Sequence, residues 1–471
     1  MLFNSFRFIL VFLPGVLACH WIVRRRFQPR SAQVLLLVAS LVFYAWSRPS
    51  SLLFLGLSIL FNFAAAEAIS KASQPERRRR MLALGLTANV LFLGVLKYSK
   101  FAQATLLSLT GLHIPVPDLG LPLGVSFFTI QQIMYLVDCY EELVPSHGLL
   151  DHASFVAFFP YLSMGPLARA RQMIPQLRTG GDGDAEQFAK GSFLFAMGLC
   201  KKVMVAQALA SLADSGFTLP SGLSCAEAWA ACLAYTLQIY FDFSGYTDMA
   251  LGIGLMLGLQ IPPNFNSPFK ATSIIEFWQR WHITLSQFIT TYLYTPILRT
   301  FRKATLQTAA ITTLIAMAIA GLWHGPSWNY IIFGVIHGIA LVTNQYWRKK
   351  VRIKLPSFIA WPLTLGLVTL AFVFFRSATF PEALNMLKAL VPSRHLLGSK
   401  MISSIGRVDF AFSALLFVVG FLTAILGPNS NEWAERLRPT FRAAVAVAVM
   451  LVVGVFYLNS STAQEFIYFA F

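Results

Sequence analysis

The chain repeats apolar runs near 20 residues in length, and this repeat restricts its fold more than any other property. A helix rising about 1.5 Å per residue needs about 20 apolar residues to cross the hydrocarbon core of a bilayer. Such runs lie at 3–23, 32–46, 50–69, 81–110, 121–137, 190–213, 226–258, 308–322, 327–346, 357–375, 409–427 and 441–458. Only 12% of the residues are charged and 56% are hydrophobic, where a soluble domain carries roughly 25% charge. No polar stretch is long enough to hold a soluble domain. The pattern predicts an all-α, polytopic helical membrane protein with about 11–12 spans, organised as a single integral membrane domain over residues 1–471.

The formal charge is +17, from 37 Lys and Arg against 20 Asp and Glu. In a membrane protein this excess belongs to cytoplasmic loops and anionic lipid, not to nucleic acid. With the N-terminus outside, the basic clusters at 24–30, 77–80, 169–178, 299–303 and 348–354 all fall inside. Arg376, Arg394, Lys400 and Arg407 then fall outside and count against that topology. The first apolar run resembles a signal peptide, down to Val16-Leu-Ala-Cys19. However, only Arg7 precedes it, while Arg24, Arg25, Arg26 and Arg30 follow. That asymmetry predicts an uncleaved first helix and a periplasmic N-terminus.

Two stretches break the regularity. The run 153–165 is too short to span, and residues 260–306 carry Pro262, Pro263, Pro268 and Pro296. Both predict re-entrant or interfacial helices, which membrane depth tolerates only against protein or a water-filled cavity. Gly180-Gly-Asp-Gly183 reads as a flexible loop. The five cysteines form no CxxC pair and no His/Cys cluster has zinc spacing, so unpaired thiols and no metal are expected. No internal repeat of the transporter kind is visible.

Ionisable groups at membrane depth are read first as functional. His324 sits in Gly321-Leu-Trp-His-Gly325, where Gly325 and Pro326 stop the preceding apolar helix. A helix end exposes backbone groups beside the imidazole and makes a polar pocket in apolar walls. A histidine merely bonded to a neighbouring helix end is the other reading. His282 sits in Glu276-Phe-Trp-Gln-Arg-Trp-His-Ile-Thr-Leu-Ser286. Locally, an amphipathic head-group helix with Arg280 snorkelling fits it better than a proton-accepting imidazole does. His337, in mid-run, reads as a supporting or packing histidine.

Gln238, Asp242 and Tyr246 share one helix face, and Asp242 needs a partner or a proton. A buried hydrogen-bond network and a proton-relay or substrate pocket both fit them. Gly254 and Gly258 permit close helix approach. Lys201 and Lys202 read as a cytoplasmic basic edge. Arg169 and Arg171, after the break at Gly165-Pro166, are candidates for holding donor phosphates. There is no P-loop, nucleophile elbow or dinucleotide fingerprint.

Taken in order, the motifs resemble the membrane-bound O-acyltransferase (MBOAT) family, in its bacterial branch of polysaccharide O-acetyltransferases, which includes alginate O-acetylation. The matching stretches are Leu121-Pro-Leu-Gly-Val-Ser-Phe-Phe-Thr, Tyr135-Leu-Val-Asp138, Phe159-Pro160, Gly165-Pro166, Lys201-Lys202, Gln238 to Met249, Asn264-Phe-Asn266, Phe277 to Ser286, Gly321-Leu-Trp-His-Gly325 and Phe466-Ile-Tyr-Phe469. They run in family order over nearly the whole chain. The chain departs from the pattern at Thr290-Thr291-Tyr292, at Pro263 and over Ile297 to Lys303.

The resemblance implies an MBOAT-like fold around a central tunnel, in a bacterial inner membrane. It implies O-acetyltransferase activity with His324 catalytic and His282 its partner in the same pore. Trp323, Trp281, Asp242, Gln238, Tyr246, Asn266 and Ser286 become substrate or tunnel candidates, and Arg169, Arg171 and Arg280 donor-side candidates. It also implies no bound cofactor, acetyl-CoA or a similar thioester as donor, a periplasmic acetyltransferase-like partner protein and a polysaccharide acceptor. In that mechanism His324 is the general base, while His282 orients the donor or stabilises the oxyanion. The alternative is an acyl-group or proton-coupled transporter or channel, with Asp242, Lys97 and the histidines as its relay.

Overall fold

The computed structural model describes residues 1–46, 48–117, 119–218, 222–392 and 397–460. Arg394 and the closing Phe466-Ile-Tyr-Phe469 stretch lie outside the described residues. Within them the chain is helical, with no strand. Among the described residues, eight helices are long and apolar enough to cross a membrane: Phe8–Arg26, Ser51–Lys71, Pro75–Thr110, Ala185–Thr218, Leu306–His324, Ser357–Arg376, Arg407–Leu426 and Phe441–Leu458. The sequence has more apolar runs than this, and the difference has physical reasons. The runs at 32–46 and 121–137 fold as Pro29–Ala45 and Val125–Tyr140, with 17 and 16 residues. The runs at 226–258 and 327–346 fold as Cys225–Met256 and Trp328–Tyr346, which are long enough but carry Asp242, Asp248 or His337 in their interiors.

Local chemistry sets the helix ends. Pro29 and Pro75 open their helices, where the missing N–H has no intrahelical partner to lose. Thr305 caps Leu306–His324 in a reciprocal box with Thr308. Ser273 accepts from the Glu276 N–H at the start of Ile274–Arg280. The expected interruptions are present. Residues 153–165 divide between Leu149–Ala157 and Phe159–Leu162. Residues 260–306 become Ile274–Arg280, Ile283–Phe288, a π-helical turn Ile289–Tyr294 and Thr295–Arg299. All five cysteines are free thiols.

Packing groups the helices into two compact units, each discontinuous in sequence. The first comprises Met1–Phe195, Met249–Pro262 and Leu437–Val447. Asp151 anchors one part of it, receiving hydrogen bonds from Arg178 at 2.7 Å and Gln33 at 2.9 Å and an ion pair from Arg30. Burial alone would raise the Asp151 carboxyl; the bonds from Arg178, Gln33 and Arg30 outweigh it and hold the group at about 2. The glycine loop at 180–183 is a packed joint and not the flexible loop expected. A Cβ on Gly181 would meet the Leu257 carbonyl oxygen at 2.1 Å, and one on Gly258 would meet the Gly183 nitrogen at 2.3 Å. Both glycines also have positive φ. His20 Nε2 lies 2.8 Å from the Gly180 carbonyl and Arg24 pairs with Asp182 at 2.9 Å, closing the loop from its other side.

The second unit comprises Ala196–Asp248, Pro263–Arg436 and Ala448–Phe471. Its central feature is the helical hairpin of Leu306–His324 and Trp328–Tyr346. Helix Cys225–Met256 contributes the polar residues Gln238, Asp242, Ser244 and Asp248, all buried. Lys201 and Lys202, expected as a basic edge, do not stand free: Lys202 is buried and Lys201 half-buried. They open a π-helical turn, Lys201–Ala206, and each is committed to a carboxylate: Lys201 to Asp248 at 2.7 Å, and Lys202 to Asp242. The two cations answer the two acids that burial would otherwise leave uncompensated.

Candidate functional site

His282 occupies the corner between helices Ile274–Arg280 and Ile283–Phe288. Its backbone is left-handed, with φ of 42° and ψ of 54°, a conformation uncommon for a non-glycine residue. The corner is held from outside. Residues 264 and 266 run alongside it: the Asn266 N–H donates to the Arg280 carbonyl and the Ile283 N–H to the Asn264 carbonyl, each at 2.9 Å. Strain of this kind persists only where surrounding structure fixes it, and it clusters at functional sites. The imidazole is fully buried. Its Nδ1 lies 3.1 Å from Asn264 Oδ1, and Nε2 meets no hydrogen-bonding group among the described residues. The Phe243 ring stands edge-on at 4.8 Å.

His324 is the last residue of Leu306–His324 and is buried. Its neighbours are aromatic: Trp323 at 5.1 Å, Phe375 at 5.2 Å and Phe333 at 5.8 Å between ring centroids. Trp323 also faces His282, at 6.3 Å. The two histidines, 42 positions apart in sequence (324 − 282), therefore meet the same indole. Gly325 ends the helix in an extended conformation, and a Cβ there would meet the Tyr330 ring at 2.3 Å. His337, expected as a supporting or packing histidine, is fully buried; it accepts from Trp278 Nε1–H at 3.3 Å and stands 4.6 Å from Phe333.

The other expected site residues divide. Trp281 is buried in an aromatic cage with Phe265 at 5.1 Å, Phe277 at 5.5 Å and Phe372 at 5.5 Å. Gln238, Asp242 and Tyr246 are all buried on one helix, with Asp242 paired to Lys202 and Gln238 Oε1 meeting no donor among the described residues. Ser286 lines a cavity of about 540 Å³ together with Trp278, Ile283, Thr290, Met317 and Gln345. Asn266 is exposed, not buried in a tunnel, and its side-chain oxygen accepts from Asn429 at 3.1 Å.

Arg280 is engaged structurally. It pairs with Glu276 at 2.9 Å and reaches the Asn266 carbonyl at 3.3 Å, bracing the corner that carries His282. Burial alone would raise the Glu276 carboxyl; bonds from Thr272 and Arg280 hold it below the usual carboxylate range. Arg169 and Arg171 belong to the first unit, at the start of helix Ala170–Thr179, and Arg171 is exposed. No group of three metal-ligating side chains occurs among the described residues. Sequence reasoning passed over Asn264 in favour of Asn266. The two lie in one motif, and only the fold shows which of them faces the imidazole.

A family model described as the membrane-bound O-acyltransferase family matches residues 80–380, a range that includes Asn264, His282 and His324. The peptidoglycan O-acetyltransferase of Helicobacter pylori is 34% identical, covering 100% of this chain and 98% of its own length. A probable alginate O-acetylase of Pseudomonas aeruginosa is 36% identical over 87% of this chain and 78% of its own. The teichoic acid D-alanyltransferase of Bacillus subtilis is 27% identical over 56% of this chain and 69% of its own.

Proposed function

Because the chain belongs to the membrane-bound O-acyltransferase family, we propose that it moves an acetyl or other short acyl group from a cytoplasmic thioester donor, most simply acetyl-CoA, toward hydroxyls of an exported polysaccharide, with a periplasmic partner protein receiving or relaying the group. The observation that supports this most is the buried pair His282 and His324 on one indole. Transfer needs a base for the accepting hydroxyl and a dry pocket that protects the thioester. In the step, the hydroxyl oxygen bonds to the thioester carbonyl carbon while its proton passes to His324. The carbon–sulfur bond then breaks, and that proton returns to the departing thiolate. The aromatic walls from Trp323, Phe333 and Phe375 exclude the water that would otherwise compete as acceptor. The transporter alternative relied on Asp242 as a relay carboxylate, but Asp242 already holds the Lys202 ammonium.

The test uses the full chain in lipid nanodiscs with acetyl-labelled acetyl-CoA and an oligosaccharide acceptor, with and without the periplasmic fraction of its source cell. Thioester cleavage that disappears in His324→Ala, with the variant still folded in the membrane, is the expected result. Cleavage that persists in that variant overturns the assignment. Label crossing sealed vesicles with its thioester intact would establish the transporter reading instead.

A further inference from the structure

Asn264 Oδ1 lies close to three groups: the Thr284 N–H at 3.2 Å, the Thr284 hydroxyl at 2.9 Å and His282 Nδ1 at 3.1 Å. An amide side chain can be flipped, and a histidine tautomer is normally an assignment made from its surroundings. Here the backbone decides both. The Thr284 N–H can only donate, so the amide atom facing it must be the oxygen. The same oxygen faces Nδ1, and an oxygen with no hydrogen can only accept. His282 Nδ1 therefore carries the proton, and in the neutral ring Nε2 is a bare lone pair. That nitrogen is buried and meets no donor among the described residues.

We infer that Asn264 is a positioning residue that locks His282 in the Nδ1–H tautomer, so that Nε2 receives an O–H or N–H hydrogen of a bound substrate. The inference rests on the acyl-transfer reading for its consequence, though not for its geometry. It changes the role expected for His282. A neutral ring with a bare Nε2 has no hydrogen to offer a developing oxyanion, so oxyanion stabilisation at this nitrogen is left to other donors. His282 instead orients a substrate through the hydrogen it accepts. The lock is stiff because Asn264 is fully buried and its own carbonyl is bonded to the Ile283 N–H, one residue beyond the histidine.

The experiment is nitrogen-15 solid-state NMR of histidine-labelled full-length protein in proteoliposomes, with the His282→Gln spectrum subtracted to isolate His282. The expected neutral signal is a protonated Nδ1 and a bare Nε2. In Asn264→Leu the two tautomers should both appear. Asn264→Asp keeps the acceptor for Thr284, which preserves the corner, and sets a carboxylate against Nδ1. It should favour the imidazolium and move the acid limb of the transfer pH profile upward by about one unit or more. A protonated Nε2 with bare Nδ1 in the wild type overturns the inference, as does an unchanged signal in a folded Asn264→Leu variant. The NMR readout does not depend on turnover, so the expected tautomer in a protein without transferase activity would overturn the functional reading alone.

Discussion

Gly321 packs against Gly334 so closely that a Cβ built on Gly321 would lie 3.0 Å from the Gly334 Cα and 2.2 Å from the Tyr330 carbonyl oxygen. This contact holds the hairpin whose first helix ends in His324. Both obstacles are backbone atoms, so the helices must separate to admit a side chain. Gly321→Val should therefore lower thermal stability in detergent, by about 1–3 kcal/mol as overpacking does, and reduce transfer further by displacing His324. Gly366 is the control: its Cβ position meets nothing within 4 Å, so Gly366→Ala should leave both unchanged. Equal behaviour of the two variants would refute the packing argument.

Trp323 and Trp281 should separate in their effects. Trp281 fills an aromatic cage, so Trp281→Ala should destabilise by about 3–5 kcal/mol, as read by a fall in the unfolding temperature. Trp323 faces both histidines, so Trp323→Phe should keep most of the stability and lower the turnover of a thioester substrate. A Trp323→Phe variant with full turnover would separate the indole from the chemistry.

Lys202 and Asp242 form a buried ion pair, and removing one partner leaves the other charge uncompensated. Lys202→Met alone or Asp242→Leu alone should cost about 3–5 kcal/mol, with much of this recovered when the two are combined. Unfolding curves for the three variants measure it. The same set tests the transporter alternative, because a proton relay would stay inactive in the double variant even when stability returns.

Asp151 gives a pH dependence whose sign is fixed. Its folded carboxyl sits at about 2, below the ordinary value. The stabilisation is therefore fully present above the ordinary value, about 4. It is lost as the pH falls from there through about 2. Wild-type protein in detergent should lose unfolding temperature over that window, and Asp151→Asn should show a flatter profile from a lower starting stability. Identical slopes would mean that the cluster of Arg178, Gln33 and Arg30 contributes nothing specific.

The sequence alone determined the helical membrane class, because apolar run length is a local property and the bilayer fixes the length that matters. It also located the two broken stretches, one through its short length and the other through its prolines, and it marked His282 and His324 through motif order. Other features depended on residues far apart in sequence. Lys201 and Lys202 read locally as a basic edge, and only the fold shows each of them paired to a carboxylate, Asp248 and Asp242. The glycine loop at 180–183 read as flexible because glycine permits freedom, whereas the backbone at 257 and 258 removes it. Arg280 read as a donor contact, and the fold adds its pairing with Glu276 and its bond to the Asn266 carbonyl. The choice between Asn264 and Asn266 depended on which side of a two-residue ladder turns toward the imidazole. That the two histidines share one indole, and that one of them has its proton placed by an amide 18 positions upstream, follows from tertiary geometry. Hydrogen-bond direction and ring contact are set by distances across the fold, which periodicity along a chain does not encode.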